Sequence, residues 1–168
     1  EGLASYSESL FAECLLGKDK GKRYCRGTWF NIQNEKPVIA DYGVNQEGPG
    51  DIYEKGSAIM YMIREMTHDD EKFRMMLRGL NKEFYHQTVT TKQIETYFAS
   101  KTGLDLHSFF DQYLRTAQIP QLEYSVKKHQ LRFRFSNIVD GFTLPISVTS
   151  GGETKTINPT GEGQHIKW

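Results

Sequence analysis

The sequence lacks most of the features that identify a protein quickly. No stretch approaches the roughly 18 uninterrupted apolar residues that cross a bilayer, because the helical segments carry charges every few positions, so no membrane-spanning segment is expected. Charge of one sign is missing too. The 21 basic and 21 acidic side chains leave a formal net charge of zero, which gives no overall attraction for nucleic acid or anionic lipid, and no nucleic-acid partner is expected. The one dense basic cluster is Lys18, Lys20, Lys22, Arg23 and Arg26, interleaved with Gly17, Gly21 and Gly27. It reads as a solvated loop, since it has glycines and no helical spacing. Cysteine is scarce: Cys14 and Cys25 are too few for a disulfide framework and form no Cys-x-x-Cys pair. One disulfide in an oxidising compartment and two separate thiols both stay open. The chain opens at Glu1 with no methionine and no charged-then-apolar leader, so any targeting signal is expected upstream and the compartment cannot be read. What is present, 38% hydrophobic and 12% aromatic residues in a chain of 168, is the profile of a globular protein.

Up to about residue 120 the apolar residues recur at three-and-four spacing. Leu3, Ala4, Leu10, Phe11, Cys14 and Leu15 mark the inner face of a helix from Gly2 to Leu16, with Gly17 as its C-cap. Residues 18–50 show no sustained period and end in Gly48-Pro49-Gly50, which predicts a long connection with a short extended piece through Trp29 to Ile32. Asp51 then reads as the N-cap of a second helix ending near Thr67, with Ile52, Ile59, Met62, Ile63 and Met66 inward. Asp69 and Asp70 open a third helix that buries Phe73, Met76, Leu77, Leu80 and Phe84. Thr90 with Gln93 forms a capping box for a fourth, on Ile94, Tyr97 and Phe98, which stops at Gly103. A fifth runs from about Asp105 to Arg115 on Leu106, Phe109, Phe110, Tyr113 and Leu114. Short links predict neighbouring, largely antiparallel helices around one core.

Beyond Pro120 the period drops to two. Leu122, Tyr124 and Val126, then Leu131, Phe133 and Phe135, then Phe142, Leu144, Ile146 and Val148 predict three half-buried strands, with a fourth around Thr154 to Ile157. Turn residues separate them at His129, Asn137, Asp140-Gly141, Gly151-Gly152 and Pro159. The expected class is therefore mainly α with a small β part. A helical bundle over 1–120 is followed by antiparallel strands over 121–168, either the start of a β-sandwich or a small sheet leaning on the helices.

Self-contained chemistry is hard to find. His68, His86, His107, His129 and His165 include no pair at i and i+4, so no His-Glu-x-x-His zinc helix is present, and each reads as structural. There is no nucleophile elbow, phosphate loop or dinucleotide fingerprint. Glu54, Lys55, Arg64 and Arg78 read as solvated charge. Two strings remain, Glu1-Gly2-Leu3-Ala4-Ser5-Tyr6-Ser7-Glu8 and Asp51-Ile52-Tyr53-Glu54-Lys55-Gly56.

These two strings carry a resemblance. The first resembles the segment just after the zinc helix of the aminopeptidase N family of zinc metallopeptidases, whose relatives include the leukotriene hydrolase enzymes. Tyr53-Glu54-Lys55-Gly56 resembles that family's tyrosine motif. The course from Phe73 through Thr90-Thr91, Gly103-Leu104-Asp105-Leu106, Phe109-Phe110 and Pro120 follows the family in order, up to where its β-sandwich begins. The resemblance implies that Glu1 is the third zinc ligand, beside two histidines upstream. It implies that Tyr53 donates a hydrogen bond to the oxyanion formed when water attacks a peptide carbonyl. Two imidazoles and a carboxylate leave zinc one open position for a water, which the ion acidifies toward neutral pH. A phenol suits the second role because it is neutral at pH 7 and a good donor.

The zinc histidines, the general-base glutamate and the segment that holds a substrate's amino terminus lie upstream of Glu1 in that family. The resemblance thus implies a fragment of an aminopeptidase acting on peptide substrates, with the N-terminal half of its catalytic domain as partner. Zinc belongs to the longer protein, and none is expected in this chain alone, which is expected to be inactive. The alternative is a relative that keeps the fold as a peptide-binding or scaffolding protein without zinc chemistry.

Overall fold

The computed structural model describes residues 1–39, 41, 43–44 and 48–168, and it divides into two compact units, 1–106 and 107–168. The first holds α1 (Gly2–Leu16), α2 (Lys18–Thr28), a 3-10 turn (Trp29–Asn31), α3 (Asp51–Thr67), α4 (Asp70–Glu83) and α5 (Thr91–Thr102). The second holds α6 (His107–Arg115) and the strands β1 (Gln121–Lys127), β2 (Gln130–Ser136), β3 (Ile146–Ser150), β4 (Glu153–Ile157) and β5 (Gln164–Lys167). The class is mainly α with a small antiparallel β part, as the change of period predicts. None of the described helices is long and apolar enough to cross a membrane.

The stretch expected as a connection contains a helix. Gly17, at φ 90°, ends α1 and the chain turns straight into α2. Its inner face is made of small residues, which is why no apolar period announces it. Gly21 packs so close to α1 that a Cβ there would lie 2.5 Å from the Glu13 Cβ and 2.8 Å from the Ser9 carbonyl oxygen. The buried Cys25 places its Sγ 3.7 Å from the Ser57 Oγ of α3. The basic residues of this stretch line a helix rather than a loop, with Lys18 paired to Asp70 at 2.5 Å and Lys22 to Glu65 at 2.7 Å. The expected extended piece at Trp29 is the 3-10 turn, with the indole edge-on to Tyr61 at 5.6 Å between centroids. Within this stretch, residues 40, 42 and 45–47 lie outside the described ones. Cys14 and Cys25 are both free thiols.

Helix α2 sets the direction of its neighbours. Against α1 it pairs Gly21 with Glu13 and Tyr24 with Glu8; against α3 it pairs Cys25 with Ser57 and Lys22 with Glu65. It runs antiparallel to both, so α1 and α3 run parallel. The face of α1 that meets them is also not the expected one. Tyr6 and Ser9 are buried, whereas Leu3, Phe11, Cys14 and Leu15 are exposed, Phe11 to 66% and Leu15 to 64%. The inward side of α1 is chosen by what α2 and α3 present, a glycine and an arginine, and those select small and polar partners.

That arginine is Arg64, which reads from sequence as solvated charge and is only 7% exposed. Its guanidinium donates to both oxygens of Glu13, at 2.7 and 2.9 Å, to Asp70 at 2.8 Å and to the Tyr6 hydroxyl at 3.3 Å. The bidentate fork to Glu13 is the geometry in which arginine binds a carboxylate most strongly. Burial pushes the Tyr6 phenol up to about 12, against the pull of Arg64. Helices α4 and α5 follow the expected signals. Asp69 accepts the amides of Glu71 and Lys72 to cap α4, Thr90 and Gln93 close their capping box on α5, and Gly103 ends it in the left-handed region. Phe73, Met76, Leu80, Tyr97 and Phe98 are buried, and the Tyr97 hydroxyl donates to the Met76 carbonyl at 2.8 Å.

In the second unit β1, β2 and β5 form one antiparallel sheet and β3 with β4 another. Leu131, Phe133 and Ile157 make a common apolar cluster, joined by Leu122, Ile146, Val148 and Ile166. The strand expected from Phe142 begins only at Ile146. Phe142 instead follows a glycine turn and is buried between Tyr113 and Phe135, at centroid distances of 5.8 and 5.5 Å. Tyr124 and Val126 are exposed rather than half-buried. The short β5 was not legible, since only Ile166 marks it. Gln112 of α6, fully buried, donates to the Gln118 carbonyl at 2.9 Å and accepts from the Val139 amide at 2.7 Å, fixing both loops.

Replacing Arg64 by alanine leaves Glu13 and Tyr6 without their partner in a buried place, and should lower the unfolding free energy by about 3 kcal/mol. Arg74→Ala, which removes an exposed pair, should change it by less than about 0.5 kcal/mol in the same urea titration. Arg64 holds the Glu13 and Asp70 carboxyls below their ordinary range, and Lys18 adds to the effect on Asp70. Groups depressed in the folded state stabilise it fully above their unfolded pKa of about 4 and progressively less as pH falls further. Stability should therefore decline below about pH 4.5, and Arg64→Ala should flatten that decline.

The exposed stripe of α1 should drive self-association. Light scattering at high concentration should detect dimers or larger species, and Phe11→Glu with Leu15→Lys should return the chain to monomer.

Candidate active site

Both residues singled out from sequence stand at helix starts. Glu1 is the N-cap of α1, its carbonyl accepting the Ser5 amide at 3.0 Å and its side chain exposed. Tyr53 lies in the first turn of α3 and is 40% exposed. Because α1 and α3 run parallel, these starts lie at the same end of the unit. A pair of glycines brings them together: the site of a Cβ on Gly56 is 2.7 Å from the Gly2 Cα. Gly2 follows Glu1, and Gly56 is one turn beyond Tyr53. Two backbones that close leave no room for a side chain, so the crossing is fixed with the starts of α1 and α3 at one end.

The start of α3 differs from the sequence expectation by one residue. Gly50 is the N-cap, without a side-chain cap, and Asp51 is the first helical residue. The Ile52 and Tyr53 amides return to the carbonyls of Pro49 and Gly50, at 3.1 and 3.2 Å. Asp51 and Lys55 are each only 4% exposed, so Lys55 is not the solvated charge expected. Burial makes its ammonium a weaker base than an ordinary lysine, with Asp51 opposing that shift. Glu54 is half-buried and Arg78 exposed. A signal for the buried pair was available. Positions 51, 55, 59 and 63 share one face, so Asp51 and Lys55 line up with the core residues Ile59 and Ile63. A concavity of about 550 Å³ opens beside this start, with Gln33, Lys36, Pro37, Ile39, Pro49 and Asp51 in its lining.

The donor set for a metal is incomplete among the described residues. Among the described residues no three His, Cys, Asp or Glu side chains gather to hold an ion. A single exposed carboxylate fits one ligand position of a zinc site, and the remaining donors would have to come from elsewhere. All five histidines are exposed.

No family model matches the chain, and no curated protein does. Among solved structures, the chain is similar to an aminopeptidase A of Legionella pneumophila crystallised with aspartic acid. The two are 17% identical with a TM-score of 0.65, over the whole of this chain and 21% of the other. The chain thus spans about a fifth of that protein's length, and it shares the fold of that part of a peptidase.

Gly56→Val should force the α1–α3 crossing apart, with a loss of about 1–3 kcal/mol in denaturant unfolding. Gly27→Val, at a position with open space around it, should cost less than half as much.

Proposed function

We propose that this chain is the part of a zinc-dependent aminopeptidase that supplies one metal ligand, Glu1, and the oxyanion donor, Tyr53. The observation that carries the reading is the parallel pairing of α1 and α3, closed by the Gly2–Gly56 contact. It sets these two residues at one end of the unit although 51 residues separate them in sequence. The fold shared with an aminopeptidase supports a peptidase lineage.

Zinc bound through Glu1 and donors outside this chain would supply an acidified water and a Lewis acid for the peptide carbonyl. The chain's own contribution is positional. Glu1 holds its carboxylate at the exposed start of α1. Tyr53 offers a hydroxyl from the first turn of α3, whose backbone is held by the Gly2–Gly56 approach and by the Asp51 carboxylate. A donor set in advance where negative charge develops stabilises the transition state with little reorganisation, and losing one such donor costs about 10²–10³-fold in kcat.

In the longer protein carrying the remaining zinc ligands, Tyr53→Phe should lower kcat by about 10²-fold or more with zinc content unchanged by elemental analysis. Unchanged turnover would return Tyr53 to a packing role. The chain by itself should not hydrolyse an aminoacyl amide with or without added zinc, and zinc-dependent hydrolysis by it would refute the fragment reading.

A further inference from the structure

Asp51 does something at the α3 start that the proposed chemistry does not use. Its two carboxylate oxygens accept backbone amides from a different segment, Gln33 at 2.9 Å on Oδ1 and Asn34 at 2.7 Å on Oδ2. Asn34 sits at φ 52°, in the left-handed region. An acidic residue in the first turn ordinarily serves its own helix, by capping free amides or by meeting the positive end of the dipole. Here α3 begins without a side-chain cap, and the carboxylate ties the helix to the link that follows the 3-10 turn. Lys55, one turn further on, is buried as deeply and feels the attraction of Asp51. Two buried charges thus bracket a tyrosine that stays partly exposed. Burying charge is unfavourable unless it is paired and hydrogen-bonded, and an apolar residue would pack this helix face at lower cost. What the carboxylate supplies is a fixed distance between the first turn of α3 and the 33–34 segment, whose Gln33 lines the concavity beside it.

We propose that Asp51 is a positioning residue, which fixes the first turn of α3, and with it the Tyr53 phenol, against the 33–34 segment. Its consequence for turnover rests on the role of Tyr53 given above; the positioning itself does not. The two donors it accepts are backbone amides, so the clamp depends on the Asp51 carboxylate and not on the side chains of Gln33 or Asn34. A displacement of a reacting group by about 1 Å can lower a rate by about 10²-fold, which is the scale on which such a clamp would register.

NMR on the chain as it stands tests the positioning. Asp51→Asn keeps the shape and one acceptor but sets a donor against the other amide, and Asp51→Ala removes both acceptors. At least one of the Gln33 and Asn34 amides should lose exchange protection, and the Tyr53 ring resonances should move while those of Tyr6 stay in place. Tyr53 resonances that do not move, or amides that keep their protection in both variants, would overturn the proposal. Should the alanine variant fail to fold, the isosteric asparagine carries the test. In the longer zinc-bearing protein, Asp51→Asn should lower kcat per folded molecule by about 10–10²-fold, with zinc retained and KM changed much less. A merely structural residue would lower the melting temperature and leave kcat of the folded enzyme alone, and that result would also overturn it. If Tyr53→Phe proves silent, the peptidase reading falls, and the ring shifts still decide whether Asp51 positions Tyr53.

Discussion

The guanidinium of Arg64 is the point at which α1, α3 and α4 are held to one another. It satisfies both oxygens of Glu13, one of Asp70 and the hydroxyl of Tyr6, and Asp70 passes the contact on to Lys18 of α2. Four helices are thereby set by directional bonds rather than by apolar contact alone, which is non-directional and tolerates sliding. The buried guanidinium is stable because its N–H groups meet the Glu13 and Asp70 carboxylates and the Tyr6 hydroxyl. It also explains the orientation of α1. To bring Tyr6 and Glu13 to Arg64 the helix must turn its leucine and phenylalanine side away from α3.

Glycine does at the other end of α1 and α3 what Arg64 does further along. The Gly2–Gly56 contact brings the backbones of α1 and α3 to a distance that any side chain would prevent. Between them the two devices define one register for parallel helices, with glycines near the start and an ion pair further on. The start is where Glu1 and Tyr53 lie, so the placement of the candidate site is a by-product of how these helices are held. The Asp51 clamp adds a third fixed point, between α3 and the link at Gln33 and Asn34.

Elements with strong local signals were legible. The helix ends at Gly17, Asp69, Thr90 and Gly103, the inner faces of α4 and α5, and the alternation in β2 follow from capping and periodicity, because there the apolar side chains also form the core. Three kinds of residue were misread for one reason. Gly21 in α2, Arg64 in α3 and the polar side of α1 are inward positions that do not look apolar, and a reading based on hydrophobic period assigns such positions to loops or to solvent. Lys55 belongs with them, although its spacing from Ile59 and Ile63 gave the face away, and Asp51, read as the N-cap, is the first helical residue on that same face. Phe142 is the opposite case, an apolar residue in phase with a strand but buried from a turn.

By itself the sequence determined the class, the change from three-and-four to two near Pro120, most helix boundaries and the two strings that single out Glu1 and Tyr53. The first three are properties of near neighbours along the chain, set by backbone preference and side-chain period, whereas the strings point to Glu1 and Tyr53 only through the family resemblance they carry. Tertiary structure alone decided that α2 exists as a helix, that α1 and α3 run parallel, and that Glu1 therefore stands at the same end as Tyr53. Those outcomes depend on contacts between residues far apart in sequence, in which a missing side chain or a buried charge selects its partner by shape and hydrogen bonding, and no local pattern records that choice.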